Sequence, residues 1–261
     1  AEKKAAALER EYIAMLGEEK LKKEVEHITR HDMKSPLSSI IGFADLLIED
    51  DELSEAHKES VRIIYNAGIK ALRMVNLSLD LLKIERGEYL LETKEVNLVP
   101  IFVDMQADNV TLLRARRLPV IFHIFGASYS LAQLQKAQLR LLVQGEEIMC
   151  YNIFANLFKN AVEAAPPDSP ITIRVAHAEN SSLMISINNF GIVPEEIQSR
   201  FFEKYATSGK KGGTGLGTYS AQRLTETLGG RIAMSTNATS GTTLSVWLPS
   251  PSGTATSCSP Q

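Results

Sequence analysis

His31-Asp32-Met33-Lys34-Ser35-Pro36-Leu37 sets a nucleophile, an acidic neighbour and a helix-perturbing proline side by side. Neutral imidazole has an ordinary pKa of about 6.5, so a nucleophilic nitrogen exists near neutral pH. Asp32 can accept a hydrogen bond from Nδ1–H and leave Nε2 free to attack. Pro36 has no N–H to offer the preceding turn and perturbs the helix there. Of the five histidines, His27 lies one turn away but lacks the Asp-x-x-Ser-Pro context. Far downstream the chain reads Asn156-Leu157-Phe158-Lys159-Asn160-Ala161, then Gly213-Thr214-Gly215-Leu216-Gly217. Two asparagines one helical turn apart can hold a magnesium ion, and a glycine-rich loop can cradle phosphates.

Upstream of Met33 the chain mixes Lys/Arg and Asp/Glu evenly over helix formers, as a long solvated helix does. Leu8, Tyr12 and Met15 step by four and three, as do Leu21, Val25 and Ile28, which makes a coiled-coil seam. The trios start 13 residues apart rather than 14, so the seam slips near Gly17. That slip reads as a register switch or as a mild helix irregularity. After Pro36 the pattern resumes through Ile40, Ile41, Phe43, Leu46 and Leu47. Glu49-Asp50-Asp51-Glu52 breaks it, and Ser54 is suited to cap a second helix carrying Val61, Ile64, Gly68, Leu72, Val75, Leu79 and Leu82. A lone helical hairpin cannot bury both stripes. Two hairpins paired as a four-helix bundle can, which predicts a homodimer.

From Glu92 the pattern turns to mixed elements. Val96–Arg117 reads as a helix entered at Asn97 and Pro100, Pro119–Ile124 as a strand and Leu139–Val143 as another. Ile148–Ala164 is predicted helical, with Ile171–Ala176 and Ser182–Ile187 as a hairpin. Thr218–Leu228 follows as a helix, and Arg231–Ser235 with Thr243–Leu248 complete a sheet. Segregated helices and an antiparallel-rich sheet define an α+β sandwich.

In this order the three motifs resemble the H, N and G2 boxes of the sensor histidine kinases, over roughly residues 20–249. The resemblance implies an all-α helical hairpin, a dimeric four-helix bundle, followed by an α+β Bergerat-type ATP-binding sandwich. It divides the chain into a signalling helix (1–19), a dimerisation and phosphotransfer domain (20–86), a catalytic domain (87–249) and a disordered tail (250–261). It makes His31 the phosphorylated residue and Asp32 its acid/base partner. Ser35 sits where relatives that dephosphorylate their partner carry Thr or Asn; a capping or solvated role suits it equally. ATP and Mg²⁺ are the implied cofactors, with Asn160 the metal ligand. Glu163 stands where relatives place a basic residue, so Lys159 or a lid lysine could meet a phosphate in its stead. Asn156 replaces the water-activating glutamate of the related ATPases, which favours transfer to a protein over hydrolysis.

Ile187-Asn188-Asn189-Phe190-Gly191-Ile192-Val193-Pro194 takes the place of the G1 box, usually Asp-x-Gly-x-Gly-Ile-Pro. Asn189 aligns with the aspartate and Gly191 with the first glycine. A neutral amide would bind the adenine amino group less strongly than a charge-assisted contact. Arg200-Phe201-Phe202-Glu203-Lys204-Tyr205 resembles the F box, where Phe202 packs beside the nucleotide or fills core. Lys210 and Lys211 belong to a glycine-rich lid leading into Gly213, Thr214, Gly215, Leu216 and Gly217, whose amides suit phosphates. Gly241-Thr242-Thr243 matches the segment in which a threonine, here Thr243, approaches adenine.

Net charge −3 and hydrophobic content of 44% describe a soluble globular chain with no polybasic signature for nucleic acid or a membrane surface. Cys150 and Cys258 make no metal spacing or disulfide framework. Apolar runs such as 119–125 fall well short of the roughly 18 residues of a span. No signal peptide precedes the first helix, and a chain starting at Ala1 reads as an excised piece, so a membrane link would come through a sensor segment absent from it. The expected setting is cytoplasmic. The implied partner is a response-regulator receiver domain, whose aspartate takes the phosphoryl group from His31. The rival readings are a regulator phosphatase or scaffold with weak kinase activity, and a GHKL-type ATPase.

Overall fold

The computed structural model describes residues 32–207 and 215–251. His31, the seam residues before it and Lys210, Lys211, Gly213 and Thr214 lie outside the described residues, as does the tail from 252. The chain divides into two compact units, one ending at Tyr89 and one starting at Leu90.

The first unit is a helical hairpin of α1 (Lys34–Glu49) and α2 (Glu55–Glu85). Pro36 is the third residue of α1 and cannot bond the Asp32 carbonyl. Asp32 accordingly sits in a wider, π-type turn ahead of the helix proper. Asp50 leaves helical geometry at ψ 116°, ending α1 in the acidic break. Ser54 then caps α2, its Oγ accepting the His57 N–H at 3.4 Å. Gly68 lets the helices cross closely, for a Cβ there would lie 2.8 Å from Ile41 Cγ1. Gly87, at φ 69°, reverses the chain at the end of α2. Ala44, Val75, Leu79 and Leu81 are buried, whereas Ile40, Phe43, Leu46, Ile63, Ile64 and Met74 are exposed.

The second unit is a two-layer α+β sandwich. A short sheet pairs β1 (Lys94–Asn97) with β4 (Leu142–Gly145). Between them come α3 (Leu98–Asp108), α4 (Val110–Ala115), β2 (Val120–Ile124), β3 (Ala127–Tyr129) and α5 (Leu131–Lys136). Then follow α6 (Glu147–Ala164), β5 (Ile171–Ala178), β6 (Ser182–Asn189), α7 (Glu195–Gln198), α8 (Gly217–Thr227), β7 (Arg231–Asn237) and β8 (Gly241–Pro249). The main sheet has the order β3-β2-β5-β6-β8-β7, and within it β2 and β5 run parallel. Among the described residues no helix is long and apolar enough to cross a membrane.

Three sequence expectations need correction. The fourth strand begins at Leu142 rather than Leu139, because Asn97 Oδ1 draws in the Leu141 N–H at 3.0 Å and holds that residue outside the ladder. The expected single helix from Val96 is two, α3 and α4, broken at Asn109 (ψ 7°) and preceded by a strand. β3 and α5 were not expected. Phe125 and Gly126, both at positive φ, make the tight turn from β2, and Ser130 with Gln133 forms a capping box for α5.

α6 sits at the centre of this unit. Met149, Cys150, Ile153, Phe154, Leu157, Phe158, Ala161 and Val162 recur at helical spacing and are all buried. Phe102 of α3 meets Phe154 edge-on at 5.7 Å and stacks on Phe122 of β2 at 6.0 Å, joining helix layer to sheet. Burial pushes the Cys150 thiol up to about 12, so this cysteine is a packing residue without nucleophilic character. The last turn of α6 is held by Arg116, whose Nη1 donates to the carbonyls of Val162 at 2.9 Å and Glu163 at 2.7 Å. A cation there also meets the negative end of the helix dipole. Arg116→Ala is expected to destabilise the second unit by about 1.5–3 kcal/mol, read as a lower urea midpoint, with Arg116→Lys recovering part of the loss. An unchanged midpoint would contradict the clamp.

Candidate functional site

The buried stripe of α6 fixes what its flank presents. Asn156 and Asn160 are half-buried on one flank, four residues apart, while Lys159 is exposed. Lys159 Nζ lies 3.8 Å from Glu163 Oε1, so the basic residue proposed for phosphate has an acidic neighbour one turn on. Asn156 Nδ2 donates to Ser220 Oγ of α8 at 3.0 Å, and Ser220 Oγ donates to the Gly217 carbonyl at 2.9 Å. A Cβ on Gly217 would lie 3.7 Å from Asn156 Oδ1. The first asparagine thus braces the start of α8. Asn160 is left as the oxygen ligand candidate.

α8 begins at Gly217 with Leu216 as its N-cap, and no side chain caps that end. Its first-turn N–H groups form an anion-binding terminus. Gly215, at φ 64°, accepts the Tyr205 N–H at 3.1 Å, and a Cβ on it would come within 2.6 Å of the Tyr205 backbone. Lys204 lies 5.1 Å above the Tyr219 ring. These contacts tie the F-box segment to α8. Phe202 is half-buried and packs edge-on against Phe201 at 5.1 Å, which favours its packing role.

Register decides the adenine side. Asn189 of β6 faces Thr242 of β8, and Asn188 faces Thr243. Side chains alternate across a strand, so Asn189 and Thr242 share one face while Asn188 and Thr243 share the other. Asn189 and Thr242 are buried at 3% and 5% exposure on the helix side. Thr243 bonds Asn188 Nδ2 at 2.9 Å instead. Thr243, the residue expected at adenine, lies on the opposite face from Asn189, whereas Thr242 shares the Asn189 face. Thr242 Oγ1 donates to the Gly191 carbonyl at 2.8 Å, and Val193 N–H donates to Thr236 Oγ1 at 3.2 Å, so two hydroxyls pin the G1 loop. Gly191 passes the end of α6 so closely that a Cβ would meet the Ala164 carbonyl at 2.3 Å. Asn189 Nδ2 is buried without a hydrogen-bond partner among the described residues. An orphaned buried amide costs about 1–3 kcal/mol, a cost that a bound hydrogen-bond acceptor would remove.

In the hairpin unit Asp32 and Ser35 are exposed, and the Ser35 carbonyl accepts the Ser39 hydroxyl at 3.2 Å. Sequence reasoning missed Ser220, Thr242 and the Tyr205–Gly215 clamp. The strand alternation after Gly241 could have singled out Thr242; nothing local signals the other two.

Two family profiles match the chain in tandem. Residues 21–87 match the His Kinase A (phospho-acceptor) domain, and residues 145–252 match the histidine kinase-, DNA gyrase B-, and HSP90-like ATPase family. Together they cover more than half of the chain. The chain belongs to the sensor histidine kinases. The chain is 28% identical over 227 residues to the circadian input-output histidine kinase CikA of Synechococcus elongatus, covering 84% of the chain and 29% of CikA. It is 24% identical over 229 residues to the aerobic respiration control sensor protein ArcB of Escherichia coli, covering 85% and 28%. The chain thus spans less than a third of the length of these curated relatives. Among solved structures, full-length ShkA in complex with AMPPNP superposes with a TM-score of 0.60 at 17% identity, over 87% of this chain and 46% of ShkA. The Acinetobacter baumannii histidine kinase AdeS gives 0.53 at 13% identity, over 85% and 98%. At such identities the likeness is one of fold.

The G1 contact yields a paired test. Gly191→Ala is expected to push the loop off the end of α6, weakening nucleotide binding at least about tenfold and destabilising the unit by about 2 kcal/mol or more. Gly42→Ala, with nothing within 4 Å of the new Cβ, should leave binding unchanged and stabilise slightly. Equal effects of the two would contradict the close approach.

Proposed function

We propose that this kinase core phosphorylates its own His31 from Mg·ATP and passes the phosphoryl group to an aspartate of a response regulator. The observation that carries the reading is the Asn156–Ser220–Gly217 connection, which joins the N box to the glycine-rich start of α8. Mg·ATP, when bound, supplies the γ-phosphoryl group and neutralises charge during transfer. Asn160 offers a carbonyl oxygen to the metal, and one such ligand suits an ion that keeps several waters. The α8 N-terminus receives phosphate oxygens, and Asn189 receives the base edge. Lys210, Lys211, Gly213 and Thr214 are proposed to contact the phosphates. His31 Nε2 attacks phosphorus while Asp32 holds the Nδ1 proton, and the Nε2–P bond forms as the bond to the departing diphosphate breaks. Ser35 is a candidate for orienting the hydrolytic water that would remove the phosphoryl group from the partner's aspartate.

A homodimer completes the hairpin. Ile40, Phe43, Leu46, Ile63, Ile64 and Met74 leave apolar surface on α1 and α2 that a second copy would cover as a four-helix bundle. A reaction that consumes ATP fits a cytoplasmic setting for this kinase core.

Incubation with γ-labelled ATP tests the reading. His31→Gln is expected to abolish the acid-labile label with nucleotide binding kept, and Asp32→Asn to slow labelling by about 10²-fold. Asn160→Ala should lose Mg-dependent labelling with its melting transition intact. Full labelling of the His31 variant would overturn the phosphoacceptor assignment. Light scattering on residues 20–86 alone should report a dimer; a folded monomer would overturn the bundle.

A further inference from the structure

The asparagines of the catalytic unit differ in what holds them. Asn188 Nδ2 donates to the Ser240 carbonyl at 3.0 Å, the Thr242 carbonyl at 3.1 Å and Thr243 Oγ1 at 2.9 Å. Asn156 Nδ2 is committed to Ser220. Asn189 is as deeply buried as a core residue, yet its amide nitrogen has no partner among the described residues. Gly191 lies beside it: a Cβ there would come within 2.7 Å of that nitrogen, so only glycine at 191 leaves the amide room to turn.

This position is where the family resemblance places an aspartate. A carboxylate only accepts hydrogen bonds, whereas a carboxamide both donates and accepts. Adenine presents a donor, its 6-amino group, beside an acceptor, N1. A 6-oxopurine presents the inverse pair, an acceptor O6 beside a donor N1–H. A carboxamide matches either edge by turning half a revolution about its terminal torsion. No bond to Nδ2 opposes that turn. A carboxylate placed for adenine would set one oxygen against O6, lone pair facing lone pair. Thr242, on the same face, already donates to Gly191 O and lies 2.9 Å from Thr236 Oγ1, so its hydroxyl adds no fixed demand on the base.

We propose that Asn189 makes this site accept both 6-amino- and 6-oxopurine nucleotides, so that its phosphoryl donors include inosine- and guanosine-type triphosphates as well as ATP. The proposal rests on reading the site as a nucleotide pocket and names the class of nucleotide it takes.

The test is calorimetric titration of the whole chain with Mg·ADP and Mg·IDP, diphosphates that preclude turnover. Inosine is the chosen probe because it lacks the 2-amino group and isolates the edge in question. Wild type is expected to bind the two within about tenfold of each other, since one hydrogen-bonded pair replaces another. Asn189→Asp should favour ADP by about a hundredfold or more, the discrimination of a site whose polar group is mismatched. Asn189→Ala, which keeps the fold without a buried charge, should weaken both nucleotides and retain their ratio. A wild-type preference for ADP beyond about tenfold overturns the proposal while leaving the nucleotide reading in place. Weakening of neither nucleotide by the alanine variant also overturns it. If folded wild type binds neither nucleotide, the reading of the site falls as well.

Discussion

Burial of one stripe of α6 against the six-stranded sheet is the constraint from which the site follows. Phe154, Leu157 and Phe158 are fully buried, and each contributes about 1.5–3 kcal/mol. That is ample to offset the local costs nearby, including an orphaned amide at Asn189 and a glycine loop held against a helix end. With the stripe fixed, the helical period leaves Asn156 and Asn160 on the flank. Arg116 holds the C-terminal carbonyls so that Gly191 can pass Ala164 at backbone distance.

The second constraint is the β6–β8 register. Because successive residues of a strand point to opposite faces, a slip of one residue would exchange Asn189 for Asn188. Asn188 is polar-bonded and partly exposed, whereas Asn189 looks into the helix layer with its donor unmatched. Gly241, at φ 72° and against the Asn189 carbonyl, starts β8 at the point that sets this pairing. The departure at Asn189 therefore sits buried on the helix side of the sheet, and a carboxamide there brings a donor that a carboxylate lacks.

Much of this was legible in the chain. The stripes of α1, α2 and α6 are periodic and long, and Ser54 announces its helix as an N-cap should. The motif order carried the family. What escaped was decided by contacts distant in sequence. Leu139–Leu141 has strand composition, yet Asn97, more than forty residues away, keeps Leu141 from the ladder. α5 is too short to show a period, although its Ser130–Gln133 box was readable. Thr242 and Thr243 both suit the motif, and only the strand alternation separates them. Ser220 carries no local signal at all; its role exists only because α8 packs on α6.

The proposed nucleotide site spans Asn160 of α6 and Asn189 of β6, on the helix side of the sheet. Nuclear magnetic resonance of the side-chain amides reads this most directly, during titration with Mg·ADP. The predicted result is large shifts for the Asn189 and Asn160 amide pairs, with the Asn188 pair on the opposite face unmoved. Shifts at Asn188 with Asn189 silent would contradict the account.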